Sequence, residues 1–262
     1  MKELSAEFLG KLVARLDDEN TLGLALVGSF ARNEAGVYSD VDLWHFVRQM
    51  PAGELESARL EYVGGHLISI KTLQIEKEQR DFSRPNRAIW AIPAWRDSRI
   101  LLDKQGDLAT MKEAALKFKW EALQAAADAF VSNHLAGTAE EIYKILDGLS
   151  TQNECKTLYA IWSLSQDMAE VLLVQRGMLV PTENSFIDCA QAAAGRDSEW
   201  TRQFRLAIGL DLPSAGQPPF VCFGIAGLRL YRETVSLLKS AIRSKDSPVV
   251  ERGLEVIREA GY

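Results

Sequence analysis

Asp40 and Asp42 stand one residue apart in the run Ser39-Asp40-Val41-Asp42-Leu43, the spacing at which a strand sends two side chains to one face. Two carboxylates a few ångströms apart repel each other unless a cation lies between them, so the pair reads as a divalent-metal site. Magnesium suits it, because it takes hard oxygen ligands and is commonly held by one or two carboxylates plus substrate phosphates. Val41 and Leu43 point the other way, into packing that would make the strand rigid.

Upstream, Gly28-Ser29 follows the apolar run Leu22 to Val27, where a strand is expected to run into a short helix. That geometry aims free backbone N–H groups and a positive helix end at an anion. Glycine lets a phosphate approach the backbone, and the Ser29 hydroxyl adds a hydrogen bond; Ser39 is placed to do the same. Arg32, on the short helix, is within reach either of a phosphate or of Glu34. A phosphate clamp, a short helix and a metal clamp in one stretch describe a site for a metal-bound triphosphate.

The elements that must position these groups follow from periodicity. Residues 4–17 carry Phe8, Leu12 and Leu16 on one helical face. Leu22–Val27 and Val41–Val47 read as buried strands, joined through a helix from Ser29 to Glu34 that Gly36 is placed to end. His66–Gln74, after Gly64-Gly65, and Ser98–Asp103 read as further strands. From Asp107 the period is helical, with helices expected over 107–135, 138–149, 155–176, 182–193, 200–209, 220–243 and 248–260. The expected fold class is α/β (α+β): a mixed sheet with flanking helices at 1–106, then an all-helical part at 107–262. Trp162, Met168 and Leu172 fit a buried helical stripe, and the aromatics from Trp90 to Trp95 fit core packing or an acceptor pocket. His45 and His66 lack metal-ligand spacing and are expected in packing.

Thirty Lys plus Arg against thirty-six Asp plus Glu give a net charge of -6, which argues against a chain built mainly to grip nucleic acid. The same balance favours a cationic small molecule as partner. Cys155, Cys189 and Cys222 have neither pair nor zinc spacing and are expected to be reduced and buried. No segment reaches the roughly 18 apolar residues of a membrane span, and residues 1–16 are charged throughout, so a cytoplasmic protein is expected.

The run Gly28-Ser29-Phe30-Ala31-Arg32 with Tyr38-Ser39-Asp40-Val41-Asp42-Leu43 resembles the signature of the polymerase-β-like nucleotidyltransferases. The layout is similar to that of the antibiotic nucleotidyltransferases that adenylate aminoglycosides or lincosamides. The resemblance implies ATP or another nucleoside triphosphate, Mg²⁺, and transfer of a nucleoside monophosphate to a small-molecule hydroxyl, the helical part binding the acceptor. It also implies a third metal-binding carboxylate in the middle of the strand at 66–74, which holds no acid. Glu76 shares that strand's parity if the strand runs so far, and is the candidate third ligand.

Family logic brings a general base from the helical part, followed one turn later by a lysine near the phosphates. Glu140 and Lys144 match it at i and i+4, a spacing that an ordinary surface ion pair explains equally well. The absent mid-strand acid supports a competing reading, a catalytically weak or inactive relative that works as a regulatory, antitoxin-like partner-binding module. Whether a homodimer completes the site is left open.

Overall fold

The first amphipathic segment forms helix α1 (Ala6–Leu16), started by Ser5, whose hydroxyl accepts from the Phe8 N–H at 3.1 Å. Its buried residues Leu9, Leu12 and Leu16 recur at helical spacing and lie against a sheet. The computed structural model describes residues 3–50, 57–213 and 216–262.

Five strands make that sheet: β1 (Thr21–Val27), β2 (Val41–Val47), β3 (Ser57–Val63), β4 (His66–Leu73) and β5 (Arg99–Asp103). Their order is β3-β4-β2-β1-β5, with β2 and β4 parallel and the other pairs antiparallel, so the sheet is mixed. All seven residues of β1 are buried, as its unbroken apolar run requires. Leu24, Leu26, Val41, Leu43, Ile68 and Ile70 form one sheet face and pack with Leu12 and Leu16 of α1.

β3 carries no clear apolar alternation and was not expected from composition. It pairs with β4 through Gly64-Gly65, whose φ values of 58° and 79° suit the two-residue turn that matches strand twist. Two helices then cover part of the opposite sheet face: α3 (Ile75–Asp81) and α4 (Pro85–Asp97), the latter with Pro93 inside it. Trp95 of α4 is fully buried, with ring centroids 5.3 Å from Trp44 and 5.4 Å from Phe46, so core packing is its role. Its indole N–H donates to the buried Glu78 carboxylate of α3 at 3.0 Å, tying the two helices together.

Helix α5 (Asp107–Lys117) follows β5, its first amides accepted by the Asp103 carboxylate, which takes Gly106 N–H and Ala109 N–H at 2.9 Å. Leu108 of α5 packs on Gly23 of β1 so closely that a Cβ at Gly23 would come within 2.9 Å of its methyl groups. This helix therefore belongs with the sheet, and the chain divides into Met1–Lys119 and Trp120–Tyr262, beyond the boundary after residue 106 that the change of period suggests.

The second unit is helical. After a short 3₁₀ turn it contains α6 (Gln124–Gly137), α7 (Ala139–Ser150), α8 (Glu154–Arg176), α9 (Phe186–Ala194), α10 (Glu199–Ala207), α11 (Pro219–Leu237) and α12 (Ser247–Glu259). The expected helix over 107–135 is thus broken into α5 and α6 around residues 118–123. Central α8 is capped by Asn153, stopped by Gly177 in the left-handed conformation, and buries Met168 and Leu172. Trp162 departs from the expected stripe: it is 65% exposed and lies beside the exposed Tyr159. The three cysteines are free as expected but not buried, Cys155 being exposed and the other two half-buried. No helix among the described residues is long and apolar enough to cross a membrane.

Candidate active site

The site is built where β1 and β2 end side by side. Val27, the last residue of β1, is paired across the ladder with Asp42 of β2. The chain then turns at Gly28 into helix α2 (Gly28–Ala31), a single turn. Gly28 has φ +68°, and a Cβ there would lie 2.1 Å from Oδ2 of Asp42. The Asp42 carboxylate therefore rests directly over the glycine, which only a residue without a side chain permits. Glycine here serves both the turn and the carboxylate, bringing the phosphate clamp and the metal clamp into contact.

Val27, the residue before helix α2, gives it no side-chain cap. Ser29, within the helix, is half-buried. The helix ends earlier than expected, and Asn33, at φ 58°, takes the left-handed position assigned to Gly36 from sequence. Arg32 donates to Glu34 at 2.7 Å, the ion-pair alternative, without being confined to it. The Ser39 hydroxyl accepts from Gly36 N–H at 2.9 Å, so it fixes the loop that delivers Asp40. Asp40 lies immediately before β2 rather than inside it, and both aspartates are half-buried.

On the far side of β2, register places Ser69 of β4 beside Asp42 and Lys71 beside Trp44. Asp42, Trp44, Ser69 and Lys71 thus share the face opposite the α1 core. A hydroxyl occupies the position where the resemblance implies a third acid. Glu76 does not replace it: β4 ends at Leu73, and Glu76 is an exposed residue in the first turn of α3, so strand parity does not carry it to the Asp42 face. The acid nearest in sequence that is buried on this side is Glu78, which is 4% exposed. Burial pushes its carboxyl above the ordinary carboxylate range, against the opposing pull of the Trp95 hydrogen bond and of Lys77 and Lys71. Its signal in the sequence was weak, because only the helical period of α3 turns position 78 inwards.

Glu140 and Lys144 lie on α7 in the second unit. Lys144 is 2.9 Å from Glu140 and 3.0 Å from Glu141, and the hydrogen bonds to these carboxylates raise its pKa. Among the described residues, one trio could offer a metal three ligand atoms within 4.8 Å: His134, Asp167 and Glu170, also in the second unit. The hydrogen bond that His134 Nε2 donates to the Asp167 carboxylate, at 3.1 Å, raises the His134 pKa. His45 and His66 are packing residues as expected: His45 Nε2 lies 2.9 Å from the Thr21 hydroxyl, and the His66 ring lies 5.0 Å from Phe8.

Residues 9–92 match the family model described as the nucleotidyltransferase domain, a stretch that includes Gly28, Ser29, Arg32, Ser39, Asp40 and Asp42. The first unit therefore carries a nucleotidyltransferase domain of the polymerase-β-like kind. Among solved structures, a nucleotidyltransferase-like protein from Exiguobacterium sibiricum 255-15 aligns with 97% of this chain and 79% of its own, at 13% identity and a TM-score of 0.49. No curated protein matches the chain. Within the nucleotidyltransferase domain, the matched stretch runs from α1 through the sheet's β4 into α4 and excludes β5, α5 and the helical unit.

Proposed function

We propose that the protein transfers a nucleoside monophosphate, AMP from ATP, to a hydroxyl of a small molecule with release of pyrophosphate. The observation that carries this reading is the contact of the Asp42 carboxylate with Gly28, which joins a phosphate-binding turn to an acidic strand end. Gly28 and Ser29 receive the triphosphate at the uncapped start of α2, with Arg32 beside them.

Asp40 and Asp42 fit a divalent cation: both are hard oxygen donors, both are partly open to solvent, and Asp42 is set on a strand whose neighbours are buried. When bound there, Mg²⁺ would neutralise phosphate charge and polarise the α-phosphorus centre. The chain's own part is positioning. A rigid β1–β2 ladder holds the nucleotide, Ser39 fixes the entry loop, and the acceptor hydroxyl is presented in line with the leaving pyrophosphate. With no acid at Ser69, deprotonation of that hydroxyl falls to another base. The reading assigns it to Glu140, with Lys144 assisting at the phosphates, on family resemblance.

Incubation with labelled ATP, Mg²⁺ and a panel of hydroxylated metabolites, aminoglycosides and lincosamides, with mass detection, tests the reading. A nucleotidylated product lost in Asp42→Asn supports it, whereas an equal rate in that variant rules the site out. Glu140→Gln, measured in the same assay, is expected to lower kcat by 10²-fold or more, the scale of general-base catalysis.

A further inference from the structure

The face that carries Asp42 continues past β2 into a pocket of opposite charge to the whole chain. A cavity of about 530 Å³ between β4, α3 and the start of α4 is lined by Lys71, Lys77, Arg80, Arg84 and Arg87, with Asp81 the one acid. In a chain of net charge -6, that is five cations against one anion around one hollow. Lys77 is offset by Asp81 at 3.2 Å and approaches Glu78 at 3.8 Å. Arg84 and Arg87, by contrast, make no ion pair among the described residues. Helix α4 starts at the same place with no side-chain cap and no acid in its first turn, so its positive end adds to the guanidinium charge. Arg80, Arg84 and Arg87 are exposed, so together they present a positive field that a dissolved anion can enter.

Strand order sets this hollow apart from the phosphate turn. The phosphate turn Gly28-Ser29 continues β1, on one side of β2, while Lys71 stands on β4, on the other. Lys71 is two residues along from Ser69, the neighbour of Asp42, which is about 7 Å at the usual rise of a strand. The hollow also takes in Gln74, whose amide N–H donates to the Arg48 carbonyl just past the far end of β2, so it extends from Lys71 away from Asp42.

We propose that this pocket is a second anion site, separate from the nucleotide's, for a phosphate or comparable multiply charged anionic group. The anion site does not rest on the nucleotidyl-transfer reading. It replaces the cationic partner that whole-chain charge suggests, because a ligand responds to the local field of the cleft it enters.

The test uses pyrophosphate as the probe, titrated calorimetrically into the full chain at low ionic strength with EDTA present. Binding is expected that weakens with salt. It should fall at least tenfold in Arg84→Gln/Arg87→Gln, with circular dichroism showing the variant folded. Saturating MgATP is expected to leave the pyrophosphate site open. No binding at millimolar pyrophosphate, or equal binding by the arginine variant, overturns the anion pocket. Displacement of pyrophosphate by MgATP overturns its separation from the nucleotide site. If pyrophosphate binds as expected but MgATP does not bind at all, the pocket stands and nucleotidyl transfer falls.

Discussion

At φ +68°, with a carboxylate oxygen where a side chain would project, Gly28 leaves no room for even a methyl group. Gly28→Ala is expected to cost about 1 kcal/mol from backbone conformation alone, and more from displacing Asp42. A lower melting temperature together with lost MgATP binding checks it; binding at wild-type strength would show that Asp42 does not need its place over the glycine. Ser69 allows the opposite experiment. Because Ser69 is paired with Asp42 across the β2–β4 ladder, Ser69→Asp puts an acid on the same face. The variant is expected to bind Mn²⁺ more tightly than wild type and to melt lower in EDTA, where the added like charge has no cation to offset it. Manganese titration followed by electron paramagnetic resonance, with paired melting curves, reads both effects.

The elements show where sequence suffices and where it stops. β1 and β2 were legible because both faces of their apolar runs are buried, and the Gly-Ser and Asp-x-Asp chemistry stands at their ends. β3 was not, since an edge strand of mixed character such as Ser57-Ala-Arg-Leu-Glu-Tyr-Val63 has no burial pattern to announce it. The Gly64-Gly65 turn did signal a hairpin, and its first arm could have been read backwards from it. Position 76 was misplaced twice over: the helix begins at Ile75, and even an extended β4 would have put Glu76 on the face of Ile68 and Ile70, opposite Asp42. Trp162 failed because helical spacing fixes a stripe without saying whether another element covers it.

The Glu78–Trp95 bond between α3 and α4 carries a pH signature. Burial raises the Glu78 carboxyl above its ordinary 4.5, so the folded state holds this proton more firmly than the unfolded chain does. The associated stability is fully present below pH 4.5 and is lost as pH rises through the higher folded value. Glu78→Gln keeps an oxygen for the Trp95 N–H and cannot ionise. It is expected to be more stable than wild type at neutral pH by about 1 kcal/mol, with the difference closing in acid; urea denaturation across pH measures it.

For the whole molecule, the division after Lys119 makes a prediction about fragments. Residues 1–119 keep α5, whose Leu108 packs on Gly23 of β1, and are expected to unfold cooperatively. Residues 1–106 expose that surface and are expected to melt lower or not at all as a single transition. Scanning calorimetry of the two fragments distinguishes them; identical melting would return the boundary to residue 106. The burial of β1 also sets a clock. Its backbone is hydrogen-bonded on both sides, to β2 and to β5, so its amides should exchange with deuterium only when the domain opens as a whole. The segment from Asn33 to Tyr38 is largely exposed and should exchange far sooner. Slow and fast regions meet between Asp40 and Val41, in the middle of the acidic motif. A nucleotide should therefore arrive at a floor that is already motionless and quieten only the loop above it.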